Sequence, residues 1–293
     1  MLEKEFGKAW KYYFKNYKKL TLIPIILSLI MFGALGYSKI TTGEFFQKDV
    51  SVKGGYTATI TINQEINVQE LTPEFGKLEI RIIRDALQTN IQGYELLGEQ
   101  ELVSTELITF FQENYGITLT NDDVSIGFQS AAIAKTFFEQ ATKALLLAFI
   151  LMGGVVFYYF RKPSPSISII LSTFLDVICI LGAMNILGIK VSTASIGALL
   201  MIVGYSTDSD KLLSTNILKR KDKPLKERML RAFKTELTID VAAFVVFATM
   251  FLLSNVIMIK EIALILLLGI FFDLINTWFG TAALQRILVV EKK

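Results

Sequence analysis

Histidine is absent from the 293-residue chain, and cysteine occurs once, at Cys179. The first absence removes a His-ligated zinc site and a Ser-His catalytic pair, so any proton relay must use carboxylates, lysine, tyrosine, hydroxyls or water. The second removes an intramolecular disulfide, a Cys-rich metal site and a CxxC redox motif. No metal, no cofactor and no enzyme activity are expected. What the chain has in plenty is apolar sequence: 52% of it is hydrophobic, with 22 Phe. Several runs of about 18 or more residues are long enough to cross a hydrocarbon core of about 30 Å. The composition is that of a membrane protein.

Residues 1–19 interleave Lys4, Lys8, Lys11, Lys15, Lys18 and Lys19 with Phe6, Trp10, Tyr12, Tyr13, Phe14 and Tyr17. That pattern predicts an amphipathic helix lying on the cytoplasmic face of the lipid bilayer. Residues 20–37 read as the first span, with Pro24 in its first turn, where a missing backbone donor does least harm. Cleavage as a signal peptide near Ala34-Leu35-Gly36 is the rival; the long basic region and the loss of a span weigh against it. Residues 38–135 change character and predict a separate soluble α+β domain. Tyr56 to Ile62 and Val124 to Phe128 read as strands, and Thr105 to Tyr115 as a helix. Thr72-Pro73-Glu74 reads as a helix start before Leu78 to Leu87. Lys53-Gly54-Gly55 before the first strand is a turn or bulge rather than a phosphate cradle. Five further spans follow within residues 144–283, at about 144–160, 167–187, 191–213, 237–259 and 262–283, and residues 284–293 are left as a tail.

Loop charges set the orientation. Arg161 and Lys162 lie in one connection, and Lys219, Arg220, Lys221, Lys223, Lys226, Arg228, Arg231 and Lys234 in another, whereas the alternate turns offer only Lys190 and Lys260. Positive-inside counting puts both termini in the cytoplasm of a multi-pass cell-membrane protein and the soluble domain outside. That domain carries fourteen acids to seven bases, which suits the outer side. The basic loop is accounted for by anionic lipid, so no nucleic-acid partner is expected.

Charged side chains inside the spans are the candidate functional residues, because an ionisable group there costs about 3 kcal/mol on insertion scales. In the run from Val191 to Leu218, Gly197, Met201, Gly204 and Asp208 share a helical stripe, so Asp208 is expected to face protein rather than lipid. Asp210 points off that stripe. Asp176 shares a face with Ser168, Ser172, Cys179 and Ala183; Asp273 shares one with Gly269, Asn276, Thr277 and Gly280. The plainest account of these two is an interhelical hydrogen bond involving Asn276 and Ser172. Asp240, beside Glu236 and near Lys234, reads as a snorkelling or salt-bridged interfacial acid.

The order of parts resembles the SecF family of protein-export membrane proteins, in its archaeal form. The resemblance is carried by Gly54-Gly55 before a strand, Phe160-Arg161, Asp176, Gly188-Ile189, and Ala198-Leu199-Leu200 through Gly204-Tyr205-Ser206. Leu218-Lys219-Arg220, Lys234-Thr235 and Asp273-Leu274-Ile275-Asn276-Thr277-Trp278 extend it. It implies an α-helical polytopic membrane protein of six transmembrane helices, with an external α+β, ferredoxin-like domain between helices 1 and 2. It also implies a SecD-like partner subunit of the RND superfamily, the Sec translocation channel and secreted preproteins as further partners, and use of the proton motive force. Asp208, Asp210, Asp176, Asp273 and Lys234 are then the candidate proton-path residues. Asp208 is the expected switch at the SecD interface, and Asp210 the milder site. Gly197, Gly204, Tyr205, Ser206 and Asn276 form the helix-packing motif, and Gly54 and Gly55 the external-domain motif. Lys211, Asn216, Glu236 and Asp240 depart from the common pattern. A stand-alone RND-type transporter half and a non-conducting scaffold subunit are the alternatives; an intramembrane aspartyl protease would need a GxGD signature, which is missing before Asp208.

Overall fold

The computed structural model describes residues 2–67, 71–84 and 90–290. Helix α1 (Leu2–Leu20) leads into α2 (Leu22–Thr42), which ends at Gly43 in the left-handed conformation that glycine adopts without strain. A one-turn helix α3 (Val50–Lys53) leads to strand β1 (Gly55–Ile60), and then come α4 (Leu71–Phe75), β2 (Leu78–Arg84), β3 (Ile91–Gly98), α5 (Ser104–Tyr115) and β4 (Val124–Gln129). The strands form one antiparallel sheet in the order β2-β3-β1-β4. Leu71, Phe75, Leu107 and Phe111 from the helices cover Ala58, Ile60, Tyr94 and Leu96 on one of its faces.

The chain then returns to long helices: α6 (Ala131–Phe160), α7 (Pro163–Ile186), α8 (Thr193–Ser214), α9 (Leu225–Leu253) and α10 (Ile257–Ile275). Their ends follow local chemistry. Arg161 takes a left-handed φ of 52° to close α6, Pro163 opens α7 where no backbone donor is needed, and Ser192 with Ser195 forms a capping box on α8. A π-helical stretch, Asn276–Thr281, continues α10 into α11 (Ala282–Gln285) and a last π turn, Arg286–Val290. Among the described residues α2, α6, α7 and α9 are long and apolar enough to cross a membrane. Helix α8 carries Asp208, Asp210 and Lys211, and α10 carries Lys260, Glu261 and Asp273, which lowers the apolar character of both. Buried residues make up 61% of the apolar stretch of α7 but 11% of those of α6 and α9, so α7 is central, packed with α8 and α10.

Four sequence expectations need correction. The region from Leu78 forms strand β2, not a helix: Leu78 and Ile80 turn to the domain core, Glu79 and Arg81 to the other face, and pairing with β3 over the strand satisfies its backbone. Residues 85–87 of that expected helix lie outside the described residues. The span drawn at 237–259 is broken at Ser254–Val256, where the backbone becomes extended, so α9 starts earlier and α10 begins at Ile257. The tail from 284 is helical to Val290, because Gln285 and Arg286 are buried against other elements. Helix α1 turns its aromatic face to protein rather than to lipid alone: Trp10 and Tyr17 are buried, Tyr13 Oη donates to the Trp278 carbonyl at 2.6 Å, and Arg286 stacks on Phe14 and Tyr17.

Candidate functional site

Three carboxyls from three helices meet in the centre of the bundle. Asp176 on α7, Asp210 on α8 and Asp273 on α10 have no exposed surface. Ser206 Oγ donates to Asp176 Oδ2 at 2.6 Å, and Asn276 Nδ2 donates to Asp176 Oδ1 at 2.6 Å. Thr277 Oγ1 stands 3.1 Å from Asp210 Oδ1 and 3.2 Å from Asp273 Oδ1. Its single hydrogen can serve only one of them at a time. Asp210 Oδ2 and Asp273 Oδ2 are buried without a hydrogen-bond partner. None of the three acids forms an ion pair among the described residues. Desolvating an ion costs several kcal/mol, so bound protons, rather than cations of this chain, are the compensation these groups can accept.

The surrounding backbone explains the convergence. The stripe of α7 that bears Asp176 also buries Ser168, Ser172, Cys179 and Ala183. Gly269 lets α10 approach α8 so closely that a methyl there would lie 2.1 Å from Ile202 Cδ1. Just beyond Asp273 the helix widens into its π turn, a device frequent at functional sites, and Asn276 and Thr277 both reach the cluster from it. A second group of acids lies on α9. Asp240 accepts from Tyr205 Oη at 2.6 Å, and Glu236, 1% exposed, has both oxygens buried without a partner. The expected salt bridge of Asp240 is not formed: Glu236 and Asp240, four residues apart, face inward, while Lys234 lies exposed on another side of α9.

Asp208 does not face protein within this chain. Its side chain is 80% exposed, with Lys211 Nζ at 3.4 Å, and nothing lies within 4 Å of where a Cβ of Gly197 or Gly204 would be. Positions 208 and 210 are about 200° apart around a helix, so one acid of the pair must face away when the other faces in. The inward face of α8 is that of Leu199, Ile202, Ser206 and Asp210; the small-residue stripe is its open face. Gly54 and Gly55 are a packing device. They have φ of 92° and 142°, and a Cβ would meet Ala131 Cα at 2.4 Å and the Gly98 carbonyl at 2.5 Å respectively.

Opposite the basic-loop end, the sheet domain is tied to the helices. The backbone of Asp49 donates to Val191 O at 2.9 Å, and that of Val191 donates to Gln47 O at 2.8 Å. Arg81 reaches Asp49 and Glu79 at 3.1 Å each and Glu95 at 3.5 Å, and Glu79 also pairs with Lys190 of the α7–α8 turn. Burial pushes the Glu79 carboxyl up, but Lys190 and Arg81 together outweigh it and hold the group below its ordinary range. Burial prevails at Glu95, aided by Asp49 and Glu79 and only partly offset by Arg81, and raises that carboxyl. Glu261 at the start of α10 accepts from Ser192 and Ser195 at the cap of α8, so the two acid-bearing helices are joined at this end as well. Sequence reading did not find this hub, because its members are ordinary surface residue types scattered between positions 49 and 190.

The family described as "Protein export membrane protein SecD/SecF, C-terminal" matches residues 113–291. The chain is 33% identical over 288 residues to the protein-export membrane protein SecF of Methanocaldococcus jannaschii, covering 94% of this chain and 97% of that one. It is 29% identical to that of Pyrococcus furiosus, covering 94% and 92%. Its fold is similar to the crystal structure of SecDF, a translocon-associated membrane protein, from Thermus thermophilus, with a TM-score of 0.73 at 20% identity. That likeness takes in 96% of this chain but 38% of the longer SecDF chain.

Proposed function

The chain belongs to the SecD/SecF family and is a SecF-type subunit of protein export, and from that premise we propose that it couples the proton gradient to preprotein export through the buried acids Asp176, Asp210 and Asp273. The observation that carries this reading is the cluster itself: three carboxyls on three helices, two with an unpaired oxygen and, among the described residues, none with a cation. A group whose charge is uncompensated in one protonation state and absent in the other biases the packing of the helices that hold it. The outer ends of α8 and α10 join at Glu261, next to the hub of Arg81, which gives such a shift a route to the sheet domain.

The wider assignment has six transmembrane helices, counting α8 and α10, both termini cytoplasmic, and an external ferredoxin-like domain. Strand order β2-β3-β1-β4 with helices after β1 and β3 supports the last point, and the basic loop at 219–234 supports the orientation. A SecD-like subunit is the partner proposed for the uncovered stripe of Gly197, Met201, Gly204 and Asp208, with preproteins and the Sec channel beyond it. The test is the chain as sole copy in cells. Asp210→Asn should abolish the gradient-dependent part of export while the complex still assembles, and Asp208→Asn should be milder. Loss of assembly in Asp210→Asn would favour a bracing role, and full activity would sink the proton role.

A further inference from the structure

We propose that Glu236 is the proton relay between the basic-loop side of the membrane and the buried trio, a role that rests on the proton-driven reading above. A cavity of about 480 Å³ between α8 and α9 is lined by Asp208, Lys211, Arg220, Thr235, Tyr205 and, at its inner wall, Glu236. Asp208, Lys211 and Arg220 are exposed and mark its open end. Glu236 is 1% exposed and both its oxygens lack a partner. An unpaired carboxyl at the inner wall of a cavity rimmed by Asp208, Lys211 and Arg220 is placed to exchange protons with water that enters there.

The groups around it fit a relay. Asp240 on its own helix, Asp210 on α8 and Asp273 on α10 are within electrostatic reach, as are Tyr205 on α8 and Tyr13 on α1. Among the described residues no lysine or arginine is paired with Glu236, and the Trp278 indole lies beside it. Trp10 and Tyr13 of α1 pack with Trp278 of the π turn, and the cavity that Glu236 lines opens between α8 and α9. Each transfer balances: the Glu236 carboxylate takes a proton from cavity water, then gives it to an ionised Asp210 or Asp273 and is a carboxylate again. Export-driving flow in the opposite sense runs the same steps backwards.

The experiment reconstitutes the complex of this chain with its partner subunit in vesicles and follows proton flux with a trapped pH dye. Glu236→Gln should slow flux by roughly 10- to 100-fold, the scale of a lost acid–base group, with partial rescue by Glu236→Asp. The residual flux should ignore the pH on the basic-loop side yet still follow the pH on the other side. If Asp210→Asn stops flux while Glu236→Gln keeps both rate and pH profile, the relay is overturned and the proton-driven reading survives. If Asp210→Asn leaves flux unchanged, that reading falls and the relay falls with it. A carbodiimide, which attacks protonated carboxyls, gives a readout without any substitution: wild-type Glu236 should be labelled, more slowly as pH rises on the basic-loop side. Absence of label at Glu236 would count against the relay even where the variants misfold.

Discussion

Replacing Arg81 by Met should loosen the sheet domain from the helices by an amount that can be worked out beforehand. Arg81 holds three carboxylates, of which Asp49 is 5% exposed while Glu79 and Glu95 retain 28% and 20% of their side-chain surface. Breaking a fully buried pair costs about 3 to 5 kcal/mol and an exposed one under about 1, so a loss of about 2 kcal/mol is expected. The backbone pairing of Gln47 and Asp49 with Val191 reports on docking directly, because those amides exchange only when the seam opens. Their hydrogen-exchange protection should fall about 30-fold, at about 1.4 kcal/mol per tenfold. The pH dependence has a defined sign. Glu79 is held below its ordinary value of 4.5, so its contribution is present above 4.5 and is lost as pH falls through the depressed value. Glu95 is raised, so its contribution is present below 4.5 and fades as pH climbs through the raised value. Without Arg81 the acid-side loss of Glu79 should begin at higher pH. Unchanged protection at Asp49 and Val191, with loss confined to β2 and β3, would show that Arg81 holds only the sheet.

Two other outcomes are expected. Gly54→Ala should lower stability by at least about 2 kcal/mol, since φ of 92° is strained for alanine and its methyl would meet the Ala131 backbone; an unchanged melting temperature in detergent would contradict the packing described. With the native Cys179 buried, a thiol introduced by Ser104→Cys should be labelled from outside intact cells, and one introduced by Lys223→Cys only after permeabilisation; the reverse pattern would invert the proposed orientation.

The apolar runs and the acid residues inside them were legible in the sequence, because a bilayer enforces long unbroken helices and makes every charge conspicuous. Strand β1 and helix α5 were legible too, since alternation and a clean helical stretch leave little ambiguity. Strand β2 was not: LEIRIIR has apolar residues at both period 2 and period 4, and only its pairing with β3 decides between them. That Asp210 rather than Asp208 turns into this chain's own bundle was not legible, for a related reason. Small residues mark a face that something can approach, but in this chain α10 meets α8 along Ile202 and Ser206, and the glycine stripe stays open. Asp240 was read as interfacial because Lys234 is near in sequence, yet six positions apart on a helix leaves the two side chains on different sides.

The seam between α2 and α7 bears on how the protein is made. Gly182 rests on the Met31 backbone, and Asn185 Nδ2 donates to the Ala34 carbonyl at 3.1 Å across 151 positions of sequence. At ribosomal speeds of about 5 to 20 residues per second, α2 waits roughly 8 to 30 s for the helix it will pack against. In the proposed orientation, the whole sheet domain crosses the bilayer behind it during that interval. Nascent α2 is therefore a lone, apolar helix with a polar seam at Ser28 and Ser38, in need of an insertase or lipid to shelter it until its partner arrives.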